Sequence, residues 1–253
     1  MSDLIWGIHP VLEALRSGAA IERIYIGEGR RGGGMQDIIS EANARRIDVR
    51  FEPQERLTKR VSGHASHQGV VAVSVSFEYA SFESLLAAAQ ERREPPFLLA
   101  LDQIQDPHNF GAIARSAECA GAHGIIIPKR KSVDVTPTVM KASAGATAHL
   151  PICRVTNLAE SLKALKEHGL WVVGAADQAK QPFTEADLTM PLVLVIGNEG
   201  EGLRRLVAET CDFMLSIPLY GRVSSLNASV ASALLAFEVR RQRNRANKAI
   251  GRI

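Results

Sequence analysis

Five short apolar runs after position 96, at 97–101, 124–127, 170–173, 192–196 and 213–217, constrain the fold of this chain more than any other feature of its sequence. Strands with one wet face alternate apolar and polar residues; these do not, so both of their faces are covered, as in a mainly parallel sheet flanked by helices. Helix-like segments between the runs, at 111–120, 158–168, 203–209 and 224–245, fit that architecture. Ligands of such sheets sit beyond the carboxyl ends of the strands. The loops after Leu101, Ile196 and Ile217 are therefore where chemistry is to be sought.

The first third reads differently. Stretches at 10–16, 23–26, 36–45, 48–51 and 70–75 alternate between helical and extended patterns and predict a small α/β unit. A polar Ala/Glu/Arg-rich stretch ending in Pro95 and Pro96 predicts a connecting helix and a domain boundary. The expected division is 1–76, a linker at 77–95, and 96–253. At 253 residues the chain has room for one large or two modest domains, and 46% hydrophobic with 23% charged residues excludes disordered and collagen-like classes.

Three widely spaced cysteines without a C-x-x-C pair, and His64 and His67 without a third ligand at suitable spacing, indicate neither disulfides nor a metal; the chain is expected to be reduced and cytoplasmic. No apolar run reaches membrane-spanning length and the N-terminus does not resemble a signal peptide, so no membrane partner is expected. Twelve of the 30 basic residues precede Phe97 against thirteen of the 27 acidic ones, so the net charge of +3 comes from the second part. Arg240, Arg241, Arg243, Arg245, Lys248 and Arg252 form an acid-free tail that reads equally as a solvated helix end or as a phosphate contact. At 5% aromatic residues, any RNA contact is expected to be electrostatic or shape-based rather than stacked.

The three loops carry unusual residues. They are DQIQDPHNFGAIARSA at 102–117, IGNEGEG at 196–202 and IPLYGRVSSLNAS at 217–229, each pairing polar side chains with turn-forming glycines. The Gly-rich loop lacks dinucleotide and P-loop spacing, and its acids disfavour a pyrophosphate. A cationic ligand, or an adenosine held by backbone groups, suits it better. S-adenosylmethionine is both.

These segments resemble the three signature motifs of the SpoU branch of the SPOUT RNA 2′-O-ribose methyltransferases, D-x-x-x-D-P-x-N-x-G-A-I-x-R-S-A, V-I-G-N-E-G-x-G and I-P-L-x-G-x-V-S-S-L-N-A-S. IWGIHPVLEAL at 5–15 and HQGVVA at 67–72 resemble the ribosomal-protein-L30e-like RNA-binding domain attached to bacterial members that methylate a guanosine of 23S rRNA near the peptidyl-transferase centre. The resemblance implies an α/β chain with an L30e-like N-terminal domain and a SPOUT domain closed by a deep C-terminal trefoil knot, acting as a homodimer with S-adenosyl-L-methionine and RNA. It implies catalytic roles for Asn109, Arg115, Glu199, Ser225 and Asn227, and cofactor contacts at Gly197, Ile217, Leu219 and Leu226. Arg115 is cast in the family as a general base; a guanidinium resists that role unless desolvation and a cationic neighbour lower its pKa greatly, and a fixed cation on the target phosphate and the developing alkoxide is the preferred alternative. Asn109 and Glu199 are expected to orient Arg115 or the ribose. As local structure, Asn109 also reads as a helix cap near Gly111, and Ser224 or Ser225 as the cap of the last helix. Arg30 and Arg31 in a Gly-rich loop, and Lys129, Arg130 and Lys131 after a strand, are candidate RNA contacts or solvated surface. A transferase fold that has lost activity and serves ribosome assembly is the rival reading; the intact site residues count against it.

Overall fold

The computed structural model describes residues 2–16, 19, 21–30, 32–61, 66–75 and 77–249. The chain divides into two compact units, Met1–Glu78 with Thr136–Thr138, and Tyr79–Val135 with Val139–Ile253.

In the first unit the order is β1 (Ser2–Trp6), α1 (Ile8–Arg16), β2 (Ile21–Gly27), α2 (Gly33–Ala44), β3 (Asp48–Glu52), α3 (Gln54–Arg60) and β4 (Val70–Val75). The sheet runs β1-β4-β2-β3, with β4 antiparallel to both neighbours and β3 parallel to β2. Alternation in β2 sends Ile24 and Ile26 to one face, where they pack with Leu15 and Ile38 of α1 and α2, and Tyr25 to the other, against Leu57 of α3. β1 and α3 escaped the sequence reading. The first is five residues long and contains an Asp, and the second buries Leu57 alone, so neither has a period to detect.

The second unit opens with α4 (Phe82–Arg92), capped by the Ser81 hydroxyl, which accepts from Ser84 N at 3.3 Å. The stretch 77–95 is therefore not a tether, because Leu85 is fully buried among Leu98, Ile126 and Leu162 of this unit. There follow β5 (Phe97–Leu101), α5 (Pro107–Cys119), β6 (Gly124–Pro128), α6 (Pro137–Ala142), β7 (Ile152–Val155), α7 (Leu158–Glu167), β8 (Trp171–Ala175), β9 (Gln181–Pro182), β10 (Leu192–Ile196), α8 (Arg205–Thr210), β11 (Phe213–Ser216) and α9 (Ala228–Ala249). The sheet order is β7-β6-β5-β10-β8-β11-β9 and every pairing is parallel, as the apolar runs require. All five residues of β5, β6 and β10 are buried. Because β10 lies between β5 and β8, with β11 beyond, the loops leaving these four strands share one edge.

α9 packs on α5 and turns the basic tail inward. Arg240 Nε donates to Ala120 O at 2.8 Å and its Nη2 pairs with Glu94 at 3.1 Å. Arg243, 4% exposed, donates to the carbonyls of Pro95, Pro96 and Met190, and burial pushes its guanidinium down to about 10. Arg241 pairs with Glu238. Three of the six tail residues thus have structural employment instead of either expected role, Arg245 and Lys248 are exposed, and Arg252 lies outside the described residues.

Beside this junction His123 is fully buried, its Nδ1 accepting from Phe97 N at 3.0 Å. Burial, then the Arg92 charge, hold the ring neutral, with its pKa lowered to about 4. As pH falls through the ordinary histidine range the unfolded chain takes up a proton that the folded one refuses. The stabilisation from a neutral His123 is complete above pH 6.5 and is lost towards pH 4, a difference of about 3 kcal/mol. In calorimetry, His123→Asn, which keeps an acceptor for Phe97 N, is expected to lose correspondingly less stability than the parent between pH 7 and 4.

Candidate active site

Asp106 starts α5: its Oδ1 accepts from His108 N at 2.8 Å, and Pro107 occupies the first helical position. Asn109 is therefore in the first turn and is not the cap expected near Gly111. Phe110, Ile113, Ala114 and Ala117 face the core, which leaves Arg115 exposed.

The Gly-rich loop after β10 is pinched shut by Asn198 N to Gly202 O at 3.2 Å and Gly202 N to Asn198 O at 2.8 Å. A Cβ on Gly197 would run into the Gly202 carbonyl and Leu203 N, so only glycine permits this approach. The loop is fixed to the first motif by Asp102, whose fully buried carboxylate accepts from Arg204 N at 2.8 Å and Arg204 Nε at 2.7 Å.

The three loops meet at one oxygen. Glu199 Oε1 accepts from Asn109 Nδ2 at 2.9 Å, Asn227 Nδ2 at 2.6 Å and Ala228 N at 2.9 Å. Asn227 Nδ2 also donates to Asn109 Oδ1 at 2.9 Å. Its Oδ1 accepts from Ser229 N at 3.0 Å and from the Ser229 hydroxyl, so Asn227 caps α9 and neither Ser224 nor Ser225 does.

A cavity of about 390 Å³ opens beside this junction. Gly197, Ile217, Ser225 and Leu226 line it, together with Glu199. Leu219, expected there, is 38% exposed and outside the lining. The sequence reading missed Ala175–Gln178, whose loop enters because β8 sits between β10 and β11, a fact of strand order that no local pattern carries. Asp177, Glu199 and Glu201 are its charged lining residues, with no cation among them. A second cavity adjoins through Asn198, Glu199 and Glu201, and Asn109 and Lys131 line it.

Arg115 makes no hydrogen bond or ion pair among the described residues, and Asn109 and Glu199 orient each other and Asn227 instead of it. Lys129 and Arg130 are exposed outside both cavities. Arg30 is exposed in the first unit, its stem lying over Gly69; Arg31 and His64 lie outside the described residues. No group of three or more His, Cys, Asp or Glu placed to hold a metal occurs among the described residues.

Residues 96–237 match the model of the SpoU rRNA methylase family, and residues 4–80 match that of the RNA 2′-O ribose methyltransferase substrate-binding domain. The chain belongs to the SpoU rRNA methylase family. It is 47% identical over 242 residues, 96% of each chain, to a Bacillus subtilis (strain 168) protein assigned to the TrmH family of tRNA/rRNA methyltransferases. Among solved structures, the SpoU methyltransferase AviRb from Streptomyces viridochromogenes, in complex with AdoMet, matches with a TM-score of 0.63 at 26% identity, covering 96% of this chain and 91% of that one. An AdoMet-bound rRNA methyltransferase from Sinorhizobium meliloti matches at 0.59 and 26%, covering 95% and 87%.

S-adenosyl-L-methionine is accordingly the cofactor, and the first cavity fits it. Its carboxylates suit a sulfonium cation, the Gly197 backbone is bare enough for close approach, and Ile217 and Leu226 offer apolar surface to an adenine. When bound, it supplies an activated methyl group.

Because Asn109 and Glu199 act as one unit, their losses are not expected to add. Asn109→Ala and Glu199→Ala should each lower kcat/KM for methyl transfer on the order of 100-fold, with the double variant close to the worse single one. A multiplicative loss in this cycle would mean that the two side chains work separately.

Proposed function

We propose that this protein transfers the methyl group of S-adenosyl-L-methionine to the ribose 2′-oxygen of a guanosine in the peptidyl-transferase region of 23S rRNA. The observation that carries the reading is the junction of Asn109, Glu199 and Asn227 on the lip between two cavities, one suited to the cofactor and one beside it open to a nucleotide. Match along 95% of the chain to an rRNA methyltransferase supports the ribosomal substrate. A tRNA ribose is the second reading, favoured by the Bacillus relative, whose family name spans both RNAs.

The chain's own groups have distinct tasks. The junction holds the three loops rigid, so that a ribose hydroxyl entering from the second cavity meets the methyl group in line. Ser225, half-buried in the cofactor cavity wall, has a hydroxyl able to donate or accept at that point. Among the described residues Arg115 has no hydrogen-bond or ion-pair partner to compete with an RNA phosphate, and its charge would stabilise the alkoxide as the hydroxyl proton passes to water. It lies six residues beyond Asn109, about 120° round the helix, and so outside the junction of its own chain. A homodimer whose sites are completed across two copies accounts for that separation, and Val230, Leu234 and Phe237 form an exposed apolar stripe on α9 that a second copy would cover. The same reading assigns residues 1–76 to RNA substrate binding with Arg30 and Arg31, residues 96–253 to a knotted transferase in which Lys129, Arg130 and Lys131 meet RNA, and the protein to the cytoplasm.

Mapping 2′-O-methyl marks over rRNA and tRNA from cells with and without the gene is expected to show one guanosine of 23S rRNA losing its mark; a tRNA mark lost instead would favour the second reading. For Arg115, pH profiles of single-turnover transfer at saturating cofactor separate the two roles. A fixed cation predicts partial activity and an unshifted profile in Arg115→Lys and almost none in Arg115→Ala. A base predicts a shifted profile for the lysine variant, and a parental rate in the alanine variant would remove Arg115 from the chemistry.

A further inference from the structure

The second cavity, given above to the target nucleotide, has as yet no group assigned to reading the base. It encloses about 480 Å³, enough for a nucleoside, and it shares Asn198, Glu199 and Glu201 with the cofactor cavity, so whatever enters it lies next to the methyl donor. Its charged lining groups are three carboxylates, Asp106, Glu199 and Glu201, against the single ammonium of Lys131. That balance repels a phosphate and suits a ligand that donates hydrogen bonds.

The three carboxylates are not equally available. Asp106 Oδ1 is engaged in capping α5, and Glu199 Oε1 accepts three donors at the junction of the loops. Among the described residues Glu201 has one hydrogen-bond contact, a long one of 3.4 Å from Gln103 Nε2 to its Oε2. Gln103 is itself unusual: it is 6% exposed and sits at φ 62°, a left-handed conformation that a non-glycine residue adopts at a cost and that collects at functional sites. Its carbonyl accepts from Asn198 Nδ2 at 3.4 Å, so the residue that steadies Glu201 is tied to the wall common to both cavities.

The geometry points to this cavity as the seat of the target base, with Glu201, braced by Gln103, reading its Watson–Crick edge and selecting guanine. A carboxylate offers two parallel acceptors. Of the four RNA bases, guanine alone presents two adjacent donors on that edge, N1–H and the N2 amino group; adenine and cytosine pair one donor with an acceptor, and the single N3–H of uracil lies between two carbonyls. A wrong base leaves the Glu201 carboxylate unpaired or facing an acceptor. Such bidentate readings discriminate by roughly 10- to 100-fold per base. The assignment rests on the methyl-transfer reading above and adds to it the residue that chooses the nucleotide.

The test is single-turnover transfer at saturating cofactor to transcripts spanning the position found by mapping, made with guanosine, inosine, adenosine, cytidine or uridine at that position. The parent enzyme is expected to prefer guanosine over adenosine on the order of 100-fold and over inosine, which lacks the N2 amino group, on the order of 10-fold. Glu201→Gln replaces two acceptors by one acceptor and one donor, the complement of adenine, so its guanosine-to-adenosine ratio should fall at least about 10-fold. Both substrates use the same saturating cofactor, so the ratio is insensitive to lost cofactor affinity or a lower active fraction, and a merely structural role for Glu201 leaves it unchanged. An unchanged ratio, equal rates on all five transcripts, or a mapped target other than guanosine overturns the base assignment and leaves methyl transfer standing. No transfer to any of them overturns methyl transfer itself, and this assignment with it.

Discussion

The position of β10 is the constraint on which the rest of the second unit depends. Its five buried residues are hydrogen-bonded in parallel to β5 on one side and β8 on the other. Because all three strands point the same way, the first motif, the Gly-rich loop and the 176–178 segment leave the sheet side by side, and β11 adds the third motif next to them. An antiparallel neighbour at any of these positions would send its loop to the far edge. The pinch of the Gly-rich loop upon itself is why Gly197 can carry no side chain, and the adjacency of the loops is why one carboxylate oxygen reaches donors from two other segments.

Concentrating acids in such a place carries a cost that the protein offsets locally. Asp102 is wholly buried, yet both of its oxygens are met by Arg204, through a backbone amide and a guanidinium, so the charge is compensated where it lies. Glu199 is compensated by three neutral donors instead, which fixes its direction while leaving the carboxylate negative towards the cavities. A cationic cofactor is then the ion that suits a cavity lined by Asp177, Glu199 and Glu201.

Much of this was legible before any coordinates, and for physical reasons. A strand buried on both faces has to be continuously apolar, so 97–101 and 192–196 gave themselves away to the residue. Asn109, Glu199 and Asn227, which the resemblance gathered from three separated segments, lie within hydrogen-bonding distance of one another, though they orient each other and not Arg115. What stayed hidden depends on pairings between distant residues. Nothing local to Arg243 says that Pro95 and Pro96 lie across from it, so an acid-free tail looked like free charge. Asp106 outcompeted Asn109 as helix cap because Pro107 suits the position after it, a signal that was present but overlooked. The order of β8 relative to β10 and β11, which brings in Asp177, and the direction in which Arg115 points along α5 are likewise outcomes of assembly.

The late place of β10 in the chain has a consequence for how the protein is made. As residues leave the ribosome from N- to C-terminus, β5 and β8 both emerge before the strand that separates them, and they have no direct pairing with each other. The carbonyls of Pro95 and Pro96 wait longer still, until Arg243 arrives nearly 150 residues later. Contacts of such long sequence separation form slowly. The second unit therefore completes its fold late, with the flanks of β5 and β8 that face β10 left unpaired until β10 inserts between them.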